Sequence, residues 1–478
     1  MKSKRREFLK WIGLAGIGIS GGSITKGFAS EGTYDDADLP QLIKQYGQSR
    51  EQRFNMSGFV APKISIVQVG IIGLGQRGPS HLQRMSILEG VEIKALCDLM
   101  PEKAAAAKKK LEGTGHNPEL YSGSREAWKK LCDRDDLDLV IITTPWYMHA
   151  EMAVYAMEHG KHVASEVPAA GTIEECWRLV ETAERTRKHL MMMENYAYME
   201  FQLLTLNMAR QGFFGEVVHG DCAYNTSKMA NNFSKSLYWD MWWLKQYAWR
   251  KGNIYPTHGL GPVSQIMDIN RGDRFDFLVS VESNDFMMNE RAKELAETDD
   301  FFRPFTGKDY RGNMSVTTIR TKKGRTIMLQ HDATSPSPHS LIHGISGTRG
   351  TALFDPQPPR LATGNHEWVS REEFEKLKIK YTPKLFEKMG KMASESGHGG
   401  SDLLLSWRLI DCLHNGFPLD QDIYDAASLS SVIPLSEWSV RNHSNSIEIP
   451  DFTAGAWETN KRNMDINMER GYTTKVKG

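Results

Sequence analysis

Charge of one sign is missing from this chain: its 478 residues carry 59 Lys and Arg against 59 Asp and Glu, a formal net charge of zero. No electrostatic footprint for nucleic acid or anionic lipid follows from such a balance. Cysteine is scarce as well. Cys97, Cys132, Cys176, Cys222 and Cys412 are scattered without CxxC or Cys/His ligand spacing, which argues against a disulfide framework and a structural zinc site, and for small buried hydrophobes. There is no HExxH helix or P-loop, so two common catalytic devices are excluded. No period repeats along the chain, which excludes a solenoid. The N-terminal apolar run, Trp11 to about Ser20, is too short to cross about 30 Å of hydrocarbon as a helix.

What remains is ordinary globular composition, 40% apolar and 25% charged, at a length that implies two domains and an extension. The first thirty residues, MKSKRREFLKWIGLAGIGISGGSITKGFAS, pair Arg5 and Arg6 ahead of Glu7-Phe8-Leu9-Lys10 and the apolar run, and end in the small-residue stretch Phe28-Ala29-Ser30. This R-R-x-F-L-K pattern resembles the twin-arginine signal, which exports folded proteins. The expectation is a leader over 1–30, an exported or periplasmic enzyme, and the twin-arginine machinery as a partner. No cysteine follows the apolar run to take a lipid.

Residues 31–62 are polar and punctuated and read as a surface extension. From there the pattern alternates. ISIVQVGIIGLG (64–75), VEIKALCDL (91–99), LDLVIITTP (137–145), KHVASEVP (161–168) and LMMMENYAY (190–198) are strand-like. Helix-like segments such as HLQRMSILEG and TIEECWRLVETAERTRKHL separate them. Regular alternation predicts βαβ units and an α/β fold with a doubly wound parallel sheet over 63–196. Past Phe213 the strands alternate or form hairpins, with TKKGRT as a turn, which predicts an α+β domain with a mixed, mostly antiparallel sheet over 197–478.

Gly73-Leu74-Gly75-Gln76-Arg77-Gly78 is a G-x-G-x-x-G following a strand and opening a helix, and Asp98 ends the next strand. That context is a dinucleotide site: glycines admit the pyrophosphate to a helix N-terminus and the acid binds the ribose diol. An aspartate there favours NAD over NADP, with Arg77 as an available phosphate partner.

Thr143-Thr144-Pro145-Trp146-Tyr147-Met148-His149, the Glu166-x-Pro168 triplet and Asn195 resemble the Gfo/Idh/MocA oxidoreductase family over nearly the whole mature chain. The leader, WYMH, SEVPAA and GNIYPTHGLGPV (252–263) more narrowly resemble glycoside hydrolase family 109, the NAD-dependent α-N-acetylgalactosaminidases. The resemblance implies NAD held by Gly73, Gly75, Gln76, Arg77, Asp98, Trp146, Tyr147, Met148, His149, Glu166, Val167, Asn195 and Tyr255. It implies a carbohydrate or glycan bound by Tyr224, Arg250, Tyr255, Pro256, Thr257 and His258, with His258 and Tyr255 catalytic and no metal. It also implies a redox-neutral hydrolysis: oxidation at C3 of the sugar by NAD⁺, removal of the C2 proton, elimination, addition of water and return of the hydride. That departs from the usual carboxylates flanking the bond. A histidine with a pKa near neutrality suits proton removal and return.

Two departures stand out. The family's dehydrogenases carry lysine in the middle of a Glu-Lys-Pro triplet, where it assists hydride transfer, and this chain has Val167; the substitution points to the glycosidase branch. The family pattern also has tyrosine where His339 stands, which bears on the sugar bound. The aromatic stretch LYWDMWWLKQYAWRKG (237–252) is suited equally to stacking on a ligand and to filling a seam, and Asp240, Asp268 and Glu194 have no spacing that makes a carboxylate pair. An exported sugar oxidoreductase with tightly held cofactor and a non-catalytic sugar-binding relative stay open as alternatives, as does a homo-oligomer.

Overall fold

The alternation between residues 64 and 192 is realised as a single parallel sheet. The computed structural model describes residues 39–355, 357–364, 366–393 and 398–477. Strands β1 (Val67–Ile72), β2 (Val91–Cys97), β3 (Glu119–Tyr121), β4 (Leu139–Ile142), β5 (His162–Ser165) and β6 (Leu190–Met192) stand in the order β3-β2-β1-β4-β5-β6. Every neighbouring pair is parallel. The short apolar runs form strands because helices cover both faces; all four residues of β4 are buried. The chain moves outward from β1 to β3 and then returns to β4 beside β1. That reversal opens a crevice at the C-terminal strand ends, where such sheets bind ligands.

A second sheet follows, built from β7 (Val217–Asn225), β8 (Phe275–Glu282), β9 (Met314–Thr321), β10 (Thr326–Asp332), β11 (His343–Gly347), β12 (Thr351–Phe354), β13 (Arg360–Ala362) and β14 (Ile447–Glu448). Its order is β13-β12-β11-β7-β10-β9-β8-β14. Only β7 and β10 run parallel; the other neighbours are antiparallel. TKKGRT makes the β9–β10 hairpin, with Gly324 at φ +83°. The helices Thr257–Ile266 and Ile423–Arg441 pack on this sheet, and the second of them also packs on the helix Ile173–Thr186 of the first layer.

One expectation is corrected. The segment 31–62 is no surface extension from residue 39 onward: Leu39–Ser49 is a helix whose Leu39 and Ile43 are buried, as are Met56 and Ala61 beyond it. The Arg50 guanidinium pairs with Glu184 and donates to Phe452 O at 2.7 Å, and Arg53 N donates to Glu184 at 3.1 Å. A handful of apolar residues among many polar ones suffices to bury one face of a helix. The leader over 1–30 lies outside the described residues. No helix among the described residues is long and apolar enough to cross a membrane. The five cysteines are buried and free, as expected of small hydrophobes.

Buried histidines give the fold a pH dependence of definite sign. Burial pushes His162, His331 and His343 down to about 3; the Lys188 charge adds to this at His162 and the Arg311 charge at His331. In the unfolded chain each protonates near pH 6.5. Between about 6.5 and 3 the unfolded state therefore binds more protons, and stability falls as pH falls. Each histidine contributes up to about 1.4 kcal/mol per pH unit within that window. Thermal melts from pH 7.5 to 4.5 are expected to show a steadily falling Tm below pH 6.5; a flat or rising Tm contradicts the assignment.

Candidate active site

The glycine loop leaves β1 through Gly73 at φ +90°, where a Cβ would lie 2.8 Å from the backbone of Thr143 in the neighbouring strand's loop. Gly75 is different: nothing lies within 4 Å of where its Cβ would be, so the loop backbone borders open space. The helix Gly78–Ser86 then begins with no side-chain cap on its first amides. Open space, a bare loop backbone and uncapped helix amides fit a pyrophosphate. Asp98, half-buried after β2, accepts from Leu74 N at 2.6 Å and Met100 N at 2.9 Å. Those bonds hold the carboxylate at the strand end in the position that suits a ribose diol. Gln76 Nε2 donates to Leu237 O at 3.1 Å and so ties the glycine loop to the aromatic stretch.

The Arg77 guanidinium, offered by the sequence as a phosphate partner, is already engaged by two carboxylates. Its Nε donates to Glu166 Oε1 at 2.6 Å, and its other nitrogens face Asp402 at 3.2 and 3.3 Å. Glu166 follows β5, on the opposite side of β1 from Asp98, so the guanidinium is turned away from the ribose. His81 Nε2, fully buried, meets the same Glu166 oxygen at 2.7 Å. Burial opposes ionisation of Glu166, but Arg77 and His81 outweigh it and hold the carboxyl well below the usual range. Burial, aided by Arg84, lowers the His81 pKa, so the imidazole acts as a neutral donor.

A second constellation forms where the helix Thr257–Ile266 meets the end of β6. His258 Nδ1 lies 2.9 and 3.0 Å from the oxygens of Glu194, and its Nε2 lies 3.0 Å from the Tyr255 hydroxyl. Because a carboxylate only accepts, His258 donates from Nδ1, and Nε2 is left to accept from Tyr255. Burial, reinforced by Tyr224 and Glu166, pushes the Tyr255 hydroxyl well above its ordinary pKa, so it keeps its proton. Gly261 makes the approach possible, since a Cβ there would stand 2.6 Å from Glu194 Cγ.

Aromatic rings enclose the pair. Trp146 stacks on Tyr255 at 5.2 Å between centroids and meets Trp242 and Trp243 at 5.1 and 4.8 Å. Tyr196 lies 4.3 Å from the His258 ring, and Tyr224 lies 5.2 Å from it. His339 stands edge-on to Tyr224 at 5.5 Å. The buried Thr257 hydroxyl has no partner among the described residues, an unsatisfied polar group of the kind a ligand completes.

Comparison with known proteins settles the family. A family model described as glycosyl hydrolase 109, C-terminal domain, matches residues 198–459, and one described as oxidoreductase family, NAD-binding Rossmann fold, matches residues 67–194. A glycosyl hydrolase family 109 protein of Shewanella pealeana is 44% identical over 473 residues, which are 96% of this chain and 98% of that one. The chain belongs to glycosyl hydrolase family 109. A relative from Shewanella oneidensis bearing the name alpha-N-acetylgalactosaminidase is 42% identical over 466 residues, 95% of this chain and 97% of its own. Among solved structures, levoglucosan dehydrogenase in complex with NADH superposes with a TM-score of 0.59 at 18% identity, covering 80% of this chain and 99% of its own. An NAD binding oxidoreductase from Klebsiella pneumoniae gives 0.62 at 15% identity, covering 81% and 100%. These two share the fold.

As a family 109 member the chain is an NAD-dependent glycoside hydrolase, and its expected residues can be placed. Glu166, Asn195, Trp146, Tyr255, Tyr224 and His258 converge where the strand ends of the first sheet meet the helix Thr257–Ile266. Val167 is buried beside Glu166, Tyr147 is partly exposed and Met148 half-buried. Pro256 precedes the helix and caps it through its carbonyl, which accepts from Leu260 N at 3.0 Å. Two side chains stand apart. His149 is fully buried between Pro168 O at 2.7 Å and Thr144 O at 2.8 Å, so it braces two loops from behind. Arg250 bonds Gly171 O at 2.9 Å and Gln246 Oε1 at 3.1 Å, and its guanidinium is directed to that loop. Asp240 pairs with Lys245 and Asp268 with Arg462, which removes both from the site.

Glu194 and Asp402 are buried carboxylates in contact with the expected site residues that sequence reasoning did not place there. Glu194 drew notice only as half of an imagined carboxylate pair; its position directly after an apolar strand was the usable signal. Among the described residues no group of three or more His, Cys, Asp or Glu is placed to hold a metal ion. Glu194→Gln and His258→Ala are each expected to lower turnover about 100-fold, the scale of losing a positioned base. Steady-state kinetics beside a thermal melt measures this, and near-normal turnover in either variant removes that residue from the relay.

Proposed function

We propose that the chain hydrolyses terminal α-linked N-acetylgalactosamine by a redox-neutral cycle of oxidation, elimination, water addition and reduction. The observation that carries the reading is the Glu194–His258–Tyr255 relay at the C-terminal face of the NAD-binding sheet. The name of the Shewanella oneidensis relative supports the sugar. Bound NAD supplies a reversible hydride acceptor. The residues supply the proton traffic: as the Tyr255 oxygen takes the C2 proton of the sugar, its own proton passes to Nε2 of His258, and Glu194 stabilises the imidazolium that results. Burial keeps the hydroxyl protonated at rest, and reversal of the relay returns a proton to the sugar.

The carboxylates favour this route over direct acid–base hydrolysis. A two-carboxylate mechanism needs one protonated acid and one free base or nucleophile across the scissile bond. Glu166 is held ionised by Arg77 and His81, and both oxygens of Glu194 face His258. Neither is available for such a role. An oxidoreductase with net turnover is the second reading, favoured by the dehydrogenase fold of the solved neighbours alone.

Export through the twin-arginine pathway fits a cycle that regenerates its own NAD, because a nucleotide inserted before export never needs replacement outside. The Arg5-Arg6 motif supports it. The test uses purified mature protein with a chromogenic α-N-acetylgalactosaminide and no electron acceptor, in deuterated water. Aglycone release with deuterium at C2 of the sugar is expected, with NAD found bound to the exported protein. Turnover that requires an acceptor, or release without exchange, overturns the mechanism; a nucleotide-free protein that is fully active without added NAD overturns the retained-cofactor account.

A further inference from the structure

The helix Ser401–Asn415 opens with a buried acid that joins residues far apart in the chain. Asp402 Oδ1 accepts from Asn195 Nδ2 at 2.8 Å and from Arg77 at 3.3 Å; its Oδ2 accepts from Arg77 at 3.2 Å and Arg84 at 3.4 Å. Arg77 lies in the glycine loop after β1 and Asn195 just beyond β6. Arg77 also grips Glu166 beyond β5. One carboxylate from outside the Rossmann layer thus ties together the C-terminal ends of three of its strands, the edge at which a doubly wound sheet binds its nucleotide.

The charges balance. Two guanidinium groups, Arg77 and Arg84, face two carboxylates, Glu166 and Asp402, while His81 is kept neutral by burial. Asp402 is 2% exposed. Removing its charge would leave a buried excess of one positive charge, and Arg77 would lose the bond that directs it. An acceptor-only carboxylate also fixes the Asn195 amide, with Nδ2 toward Asp402 and Oδ1 turned from it. Asn195 Oδ1 accepts no hydrogen bond among the described side chains.

We propose that Asp402 is a positioning residue for NAD: it sets the guanidinium plane of Arg77 and the amide orientation of Asn195 before the nucleotide arrives. Preorganisation of this kind strengthens binding by removing the cost of ordering the groups on contact. The inference rests on the nucleotide site alone and is indifferent to the sugar cleaved.

The test compares wild type, Asp402→Asn, Arg77→Met and the double variant as full chains. NAD remaining after dialysis is measured, followed by retitration with NAD well below each protein's Tm. Each single variant is expected to weaken NAD binding at least tenfold. The double variant is expected to bind no more weakly than the weaker single one, because both changes dismantle the same arrangement, and its Tm should recover as the excess buried charge is removed. Asp402→Glu, which keeps the charge, should retain most of the affinity. If the folded variants bind NAD as tightly as wild type while only Tm falls, Asp402 is a packing residue and the proposal fails. Multiplying effects in the double variant, or no rescue by Asp402→Glu, also overturns it.

Discussion

A carboxylate buried after a parallel strand has to be paired, and Glu194 finds its partner in His258, 64 residues further along the chain. Left alone, an ionised group at that depth would cost several kcal/mol. The pairing forces the helix Thr257–Ile266 against the end of β6, so two elements of different sheets share one line of contact. The glycines of the His-Gly-Leu-Gly segment allow it. Gly261 accepts the Glu194 side chain, and a Cβ on Gly259 would stand 3.0 Å from Ala223 N and from Leu329 Cδ1 on the other face. The helix carries glycine at both positions because it is wedged between the Glu194 side chain and the second sheet.

The same logic governs the polar groups around it. Glu166 and Asp402 neutralise Arg77 and Arg84, and the aromatic rings of Trp146, Trp242 and Trp243 close over Tyr255. A site enclosed by indoles and by compensated charges excludes bulk water, which strengthens each remaining hydrogen bond. The hydrogen-bonded chain Tyr255–His258–Glu194 therefore lies in low-dielectric surroundings, which suits the proton relay proposed for it. The aromatic stretch that sequence left undecided packs as a seam and lines the site through the same rings.

Legibility in the sequence followed the range of the interactions. The parallel sheet was readable because each strand is a short apolar run between helices, and the nucleotide loop because its strand, glycines and acid lie within 32 residues of one another, Val67 to Asp98. The YPTH segment was readable as a local motif. What stayed hidden depends on pairs brought together only by the completed fold, such as Arg77 with Asp402, 325 positions apart. The same holds for residues 39–62, whose burial depends on Glu184 and Tyr424. The local setting of Arg77, a glycine loop, says phosphate, while its carboxylate partners come from distant parts of the chain.

Val167 now has a physical explanation. Its side chain is 2% exposed and lies in the apolar core, with its amide 3.3 Å from Glu166 Oε2. An ammonium placed there would need a carboxylate, and Glu166 is already engaged by Arg77 and His81. A buried lysine without a partner shifts its pKa downward or destabilises the fold. The charge network around Glu166 is therefore closed, and a lysine could enter only if Arg77 were released. Closing it leaves no ionisable side chain at the middle of the triplet, and in the proposed cycle the substrate proton is handled by Tyr255 and His258.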